Sequence, residues 1–123
     1  MRSVLDGLRH IHERNLIHRD VKAENILLLT DADQPHGYRA KICDLGFCRE
    51  DDDNVSTFCG TTSYMAPEIF KKSVYDNKVD VWAIGVLMFR MLFGDFPFKS
   101  NSLTMQVSTW STKSSRNAPK GSA

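Results

Sequence analysis

Between His18 and Asn25 the chain reads His-Arg-Asp-Val-Lys-Ala-Glu-Asn. Asp20 can accept a proton or orient a hydroxyl, Lys22 can neutralise charge on a transferring phosphoryl group, and Asn25 can offer its amide oxygen to a divalent cation. A carboxylate, an ammonium and an amide thus fall within six residues. An amphipathic segment precedes the stretch and the apolar run Ile26-Leu27-Leu28-Leu29 follows it. That context predicts a loop between a helix and a short strand, a place where scaffolds hold reactive groups. A second acidic group, Asp44, stands before Leu45-Gly46, and Gly46 allows a sharp backbone turn.

The string resembles the catalytic loop of eukaryotic protein kinases, His-Arg-Asp-x-Lys-x-x-Asn. Three further pieces follow in the order that family requires: Asp44-Leu45-Gly46 in place of Asp-Phe-Gly, Gly60-Thr61 with Tyr64 before Ala66-Pro67-Glu68, and Asp80-Val81-Trp82-Ala83-Ile84-Gly85. A bare His-Arg-Asp is weak on its own, and the ordered set carries the resemblance. It covers about residues 3 to 103.

The resemblance implies a serine/threonine kinase, since Lys22 stands where such kinases carry Lys. ATP and Mg2+ are the implied cofactors and protein Ser/Thr hydroxyls the implied acceptors. Asp20, Lys22 and Thr61 form the implied catalytic group, with Thr61 bonded to Asp20 and Lys22. Lys22, Glu24, Asn25, Leu27 and Asp44 form the nucleotide site, with Leu27 beneath the adenine and Asn25 and Asp44 on the metal. Residues 47 to 65 become an activation segment, in which phospho-Thr57 pairs with Arg19 and Arg49. His18 is implied to be structural, and Asp80 to hold the catalytic-loop backbone. Ala23 replaces a frequent Pro and Leu45 a Phe, and Leu45 is expected to pack inward.

The elements that must position these groups are read as follows. Residues 3 to 13 form a helix whose stripe is Val4, Leu5, Leu8, Ile11 and His12, stopped near Asn15. Ile26 to Leu29 pairs with Arg39 to Cys43 as a short hairpin. In the turn-rich connection, Asp31 and Asp33 lack the Gly and distant Glu of a calcium loop, so a solvated turn is the better reading. Glu50-Asp51-Asp52-Asp53 reads as a solvated acidic run. Pro67 opens a short helix, and Asp76 or Asn77 caps a longer one, Lys78 to Leu92, apolar nearly all round and expected to be buried. Gly94 begins the break after it. Glu68 pairs with a distant Arg in the family, and Arg116 is a poor candidate for that role.

The expected fold is therefore mainly α with a short β-hairpin: a partial kinase-like C-terminal lobe over residues 1–106, with the N-terminal lobe absent and a disordered Ser/Thr-rich tail over 107–123. No Gly-rich phosphate loop and no Val-Ala-Ile-Lys lysine is read, so the polypeptide alone is expected to be inactive. The alternatives are a non-catalytic binding module and an incomplete gene product.

The chain has 123 residues, and 16 Lys and Arg against 15 Asp and Glu give no sign of nucleic-acid binding. The apolar run from Val81 to Leu92 is too short to span a bilayer, and no secretory signal is read at the start. The three cysteines, Cys43, Cys48 and Cys59, lack metal spacing and suggest reduced thiols in the cytoplasm.

Overall fold

The computed structural model describes residues 1–98 apart from 53, 54 and 58. The first helix, α1, spans Arg2–His12. Its stripe is narrower than expected: Val4 and Leu8 are buried, whereas Leu5 is exposed. The chain leaves the helix through Asn15 at φ 54°, the left-handed region that Asn tolerates better than most residues.

Two small antiparallel sheets follow. Strand β2, Ile26–Thr30, pairs with β3, Tyr38–Ile42, from Ile26 opposite Ile42 to Thr30 opposite Tyr38. The connection closes on itself, because Asp31 N donates to the Gly37 carbonyl at 2.9 Å and Gly37 adopts φ 74°. The Asp31 carboxylate accepts from Asp33 N at 3.1 Å and sits 2.7 Å from Arg39 Nε. It is therefore committed to the turn and to an ion pair.

The second sheet joins β1, Leu16–Ile17, to β4, Arg49–Glu50, with Leu16 opposite Glu50 and Ile17 opposite Arg49. Asp51 N extends it by donating to the Asn15 carbonyl at 2.7 Å. The acidic run is therefore anchored at its start rather than simply solvated. Two-residue strands have no periodicity to read, which is why the pairing is absent from the expectation.

Helix α2, Pro67–Phe70, begins at Pro67, whose missing N–H is no loss in the first turn. Helix α3 spans Lys78–Phe93 and ends at Gly94, φ 76°, with Gly94 N bonded to the Arg90 carbonyl at 2.8 Å. One core cluster places Val4, Leu8, Val21 and Tyr64 against Ala83, Ile84, Val86 and Leu87 of α3. The other gathers Ile17, Val55, Met65, Ala66, Ile69 and Tyr75 around Val79. Trp82 packs against both, so α3 is their shared wall. Burial of each such aliphatic side chain contributes about 1.5–3 kcal/mol, more than the exposed Arg9 ion pairs can supply.

The expectation that α3 is buried all round is corrected. Val81, Met88, Met91, Leu92 and Phe93 are exposed, because the described elements pack on one side of the helix only. Leu45 likewise is 60% exposed and does not pack inward. Residues 107–123 and Arg116 lie outside the described residues, and Glu68 is half-buried.

Candidate active site

The loop between β1 and β2 is fixed by one buried carboxylate from α3. Asp80 is 1% exposed and accepts from His18 N at 2.9 Å and from Arg19 N at 2.8 Å. His12 Nε2 donates to the same group at 2.7 Å. A buried carboxylate requires such donors, and here three of them tie α1, the loop and α3 together. Arg19 sits at φ 68°, a conformation unfavourable for a long side chain unless its surroundings enforce it.

His18 then carries the constraint forward. Its Nδ1 accepts from Asp20 N at 3.2 Å, so the ring proton is on Nε2, which donates to the Cys43 carbonyl at 3.1 Å. Cys43 N in turn donates to the Asn25 carbonyl at 2.9 Å. Position 43 is thereby held against both ends of the loop, and Asp44 follows it directly. Asp44, at φ 62°, folds its Oδ1 onto Gly46 N at 3.2 Å and is exposed.

Asp20, Lys22, Asn25 and Thr61 converge. Asn25 Nδ2 donates to the Asp20 carbonyl at 2.8 Å and to Asp20 Oδ2 at 3.1 Å. Thr61 Oγ1 donates to Asp20 Oδ1 at 3.2 Å, and Lys22 Nζ donates to Thr61 Oγ1 at 3.0 Å while lying 3.3 Å from Asp20 Oδ2. Asp20 and Asn25 are buried, and Lys22 and Thr61 are half-buried at the rim. Gly60 permits the contact: at φ 99°, a Cβ there would lie 2.6 Å from the Arg19 carbonyl oxygen.

With both Asn25 Nδ2 protons directed at acceptors, its Oδ1 is the end left for a ligand. Asn25 Oδ1 and the Asp44 carboxylate supply hard oxygen donors, the chemistry that magnesium takes while keeping waters and phosphate oxygens. Among the described residues no three His, Cys, Asp or Glu side chains converge.

The remaining site residues are placed less closely. Leu27 on β2 is 50% exposed, and Glu24 lies in the 3-10 turn Ala23–Asn25 with an exposed side chain. Arg19 Nε donates to the Phe47 carbonyl at 2.7 Å, and its NH1 is 3.4 Å from Tyr75 OH. That hydroxyl donates to the Thr57 carbonyl at 2.7 Å, so Arg19 reaches the Thr57 backbone through Tyr75. Burial pushes the Tyr75 hydroxyl up from its ordinary range. Arg49 is exposed on β4. Cys48 is also pushed up, by burial first and then by the Asp80 carboxylate, with Arg19 opposing and Asp44 adding to the rise.

Sequence reasoning missed several supports. His12 stood as a polar residue on an apolar stripe, which is the signal for its buried contact. The Tyr75 bridge and the contact of Arg90 with Tyr64, 2.8 Å from NH1 to hydroxyl, left no signal in spacing. A cavity of about 680 Å³ between α1 and β3 is lined by residues such as Gly7, Ile11, Lys41 and Leu45, and by none of the converging four.

The protein kinase domain family matches residues 1–120. The chain belongs to the protein kinase domain family, of which it forms a segment with a few helices and two small antiparallel sheets. It is 46% identical over 101 residues to Protein kinase C-like 1 of Candida albicans, covering 80% of this chain and 9% of that protein. It is 41% identical over 100 residues to Serine/threonine-protein kinase akt-2 of Caenorhabditis elegans, covering 79% and 18%. It is 38% identical over 107 residues to Serine/threonine-protein kinase ULK1 of Homo sapiens, covering 83% and 10%. The chain thus spans less than a fifth of the length of these relatives.

Proposed function

We propose that this chain forms the hydroxyl-accepting and metal-holding part, the C-terminal lobe side, of a serine/threonine protein kinase that transfers the ATP γ-phosphoryl group to protein hydroxyls. The observation that carries it is the closed cluster of Asp20, Lys22, Asn25 and Thr61.

Asp20 orients the incoming Ser or Thr hydroxyl and accepts its hydrogen bond. Thr61, bonded to the same carboxylate, holds Asp20 in place and shapes the rim. Lys22 offsets negative charge on the transferring group. Asn25 and Asp44 would hold magnesium, with Lys22, Glu24 and Leu27 on the nucleotide side. When bound, the metal supplies charge neutralisation on the phosphates. Such catalysis is almost entirely positioning and electrostatics. A polypeptide of these 123 residues alone therefore turns over at below ~10⁻³ of a complete kinase, since the lysine–glutamate pair must also be in place.

The test grafts the chain into the matching stretch of Protein kinase C-like 1 and measures radiolabel transfer from ATP to Ser/Thr peptides. Asp20→Asn is expected to lower kcat by about 10²–10⁴-fold, the span of positioned acid–base groups. An unchanged rate in that variant refutes the assignment, and robust transfer by the 123 residues alone refutes the inactivity. We propose further that phospho-Thr57 orders the segment by pairing with Arg19 and Arg49, in a cytoplasmic protein. Equal activity of phosphorylated and unphosphorylated forms of the graft would contradict the pairing.

No helix among the described residues is long and apolar enough to cross a bilayer.

A further inference from the structure

We propose that Tyr75 is a positioning residue, a latch whose hydroxyl holds Thr57, and through it Thr61, against the catalytic loop when Thr57 bears no phosphate. This rests on the kinase reading above and adds to it a source of order that needs no modification.

Tyr75 stands between α2 and α3 and grips the preceding segment at two points. Its N–H donates to the Val55 carbonyl at 2.9 Å, and its hydroxyl donates to the Thr57 carbonyl at 2.7 Å. Tyr75 is 5% exposed and shares a core cluster with Val55, Met65 and Val79, so the hydroxyl projects from a fixed base. Arg19 closes the latch from the other side. Its NH1 lies 3.4 Å from the same hydroxyl, while its Nε donates to the Phe47 carbonyl at 2.7 Å. One phenol therefore links the residue before Asp20 to the segment that ends in Thr61. Burial holds that phenol above its ordinary range, with the Arg19 bond opposing, so the donated proton is retained at neutral pH.

The consequence falls on the catalytic cluster. Thr61 Oγ1 bonds Asp20 Oδ1 at 3.2 Å and accepts from Lys22 Nζ at 3.0 Å. Downstream, Tyr64 N holds the Thr61 carbonyl at 3.0 Å. Upstream, Tyr75 holds Thr57, four residues away. A free tether of four residues spans up to about 13–14 Å, ample to draw a hydroxyl out of hydrogen-bond range. Thr57 itself is exposed, so its backbone is fixed while its side chain stays open to modification. A phosphate added there starts from an ordered backbone and loses less freedom on pairing.

The experiment is hydrogen exchange, read by mass spectrometry, on the full unphosphorylated chain and on Tyr75→Phe, which keeps the ring and removes the hydroxyl. Exchange of the peptide from Val55 to Thr61 is expected to rise about threefold to tenfold, the worth of one or two neutral hydrogen bonds. The stretch from Val79 to Leu87 should exchange as before. Unchanged exchange from Val55 to Thr61 overturns the latch, and so does an equal rise in α3, which would make Tyr75 a core residue only. In the graft, Tyr75→Phe with unphosphorylated Thr57 should lower kcat by a similar factor and leave KM for ATP unmoved, because Thr61 and Asp20 serve the accepting hydroxyl. A raised KM for ATP at unchanged kcat overturns the proposal. Should Tyr75→Phe fail to fold, the native chain decides: exchange from Val55 to Thr61 as fast as in an unstructured peptide overturns it. A rise confined to that peptide, with no phosphoryl transfer in the native graft, refutes the kinase reading alone. Transfer in the graft with unchanged exchange refutes only the latch.

Discussion

The two halves of α3 are built from similar residue types and end in opposite environments. From Val79 to Leu87 the inward side chains Val79, Asp80, Ala83, Ile84, Val86 and Leu87 are all buried. From Met88 onward the helix is as apolar, yet Met91, Leu92 and Phe93 are 67–75% exposed, and Phe89 and Phe93 pack mainly on each other at 4.5 Å. Hydrophobicity alone does not distinguish the halves. The difference is what packs against them: the first half meets the catalytic loop, α1 and α2, whereas Met91, Leu92 and Phe93 of the second have little beside them among the described residues. The lesson is that the most buried carboxylate among the described residues, Asp80, sits in the well-packed half, where three donors surround it.

The largest effect expected from breaking this arrangement is at Asp80. Asp80→Ala strands the His18 and Arg19 amides and the His12 ring in a buried place. Removal of one side of such a network costs about 3–5 kcal/mol. Urea titration should show a large fall in midpoint for the variant. A change smaller than about 1 kcal/mol, the typical effect of an average substitution, would mean the loop is held by something else.

The halves can then be compared directly with one substitution type. Leu87→Ala should lower stability by about 2–5 kcal/mol, whereas Leu92→Ala at the exposed end should stay within about 0.5 kcal/mol. Equal losses in the two variants would show that the distal face is covered in solution.

Much of this was legible in the sequence, and the reasons differ by residue. Asp20, Lys22 and Asn25 could be singled out because reactive types stand within six residues, whereas Thr61 entered only through the resemblance to kinases. The hairpin was readable from an apolar run and a mixed partner segment separated by turn residues, within one residue at its ends. The pairing of Leu16–Ile17 with Arg49–Glu50 was not, since it joins segments more than thirty residues apart through two residues each. Nor could composition say that half of α3 lies exposed, because an apolar stretch records what it can bury and not what is beside it. His12 shows the same limit on a smaller scale: its stripe was visible, but its partner Asp80 lies 68 positions away.

The smallest expected effect lies at the start of α3, where the well-packed half begins. Asp76 Oδ1 accepts from Lys78 N at 3.0 Å and Oδ2 lies 3.1 Å from Lys78 Nζ, so Asp76 rather than Asn77 satisfies a free amide of the first turn. The backbone bond to Lys78 is the main cause holding the Asp76 carboxyl below its ordinary value of 3.8, with the lysine side chain adding to it. Half of this side chain is exposed, so solvent screening reduces the worth of the pair, and Asp76→Ala should cost about 0.5 kcal/mol. A depressed carboxyl binds its proton less readily folded than unfolded. Its contribution is therefore complete above pH 3.8 and is lost as pH falls through the lower folded-state value. The difference in stability between the native chain and Asp76→Ser, which keeps a capping oxygen without a charge, should shrink across that acid window. If the difference is the same on both sides of it, the cap acts through geometry alone, and charge has no part in setting where α3 begins.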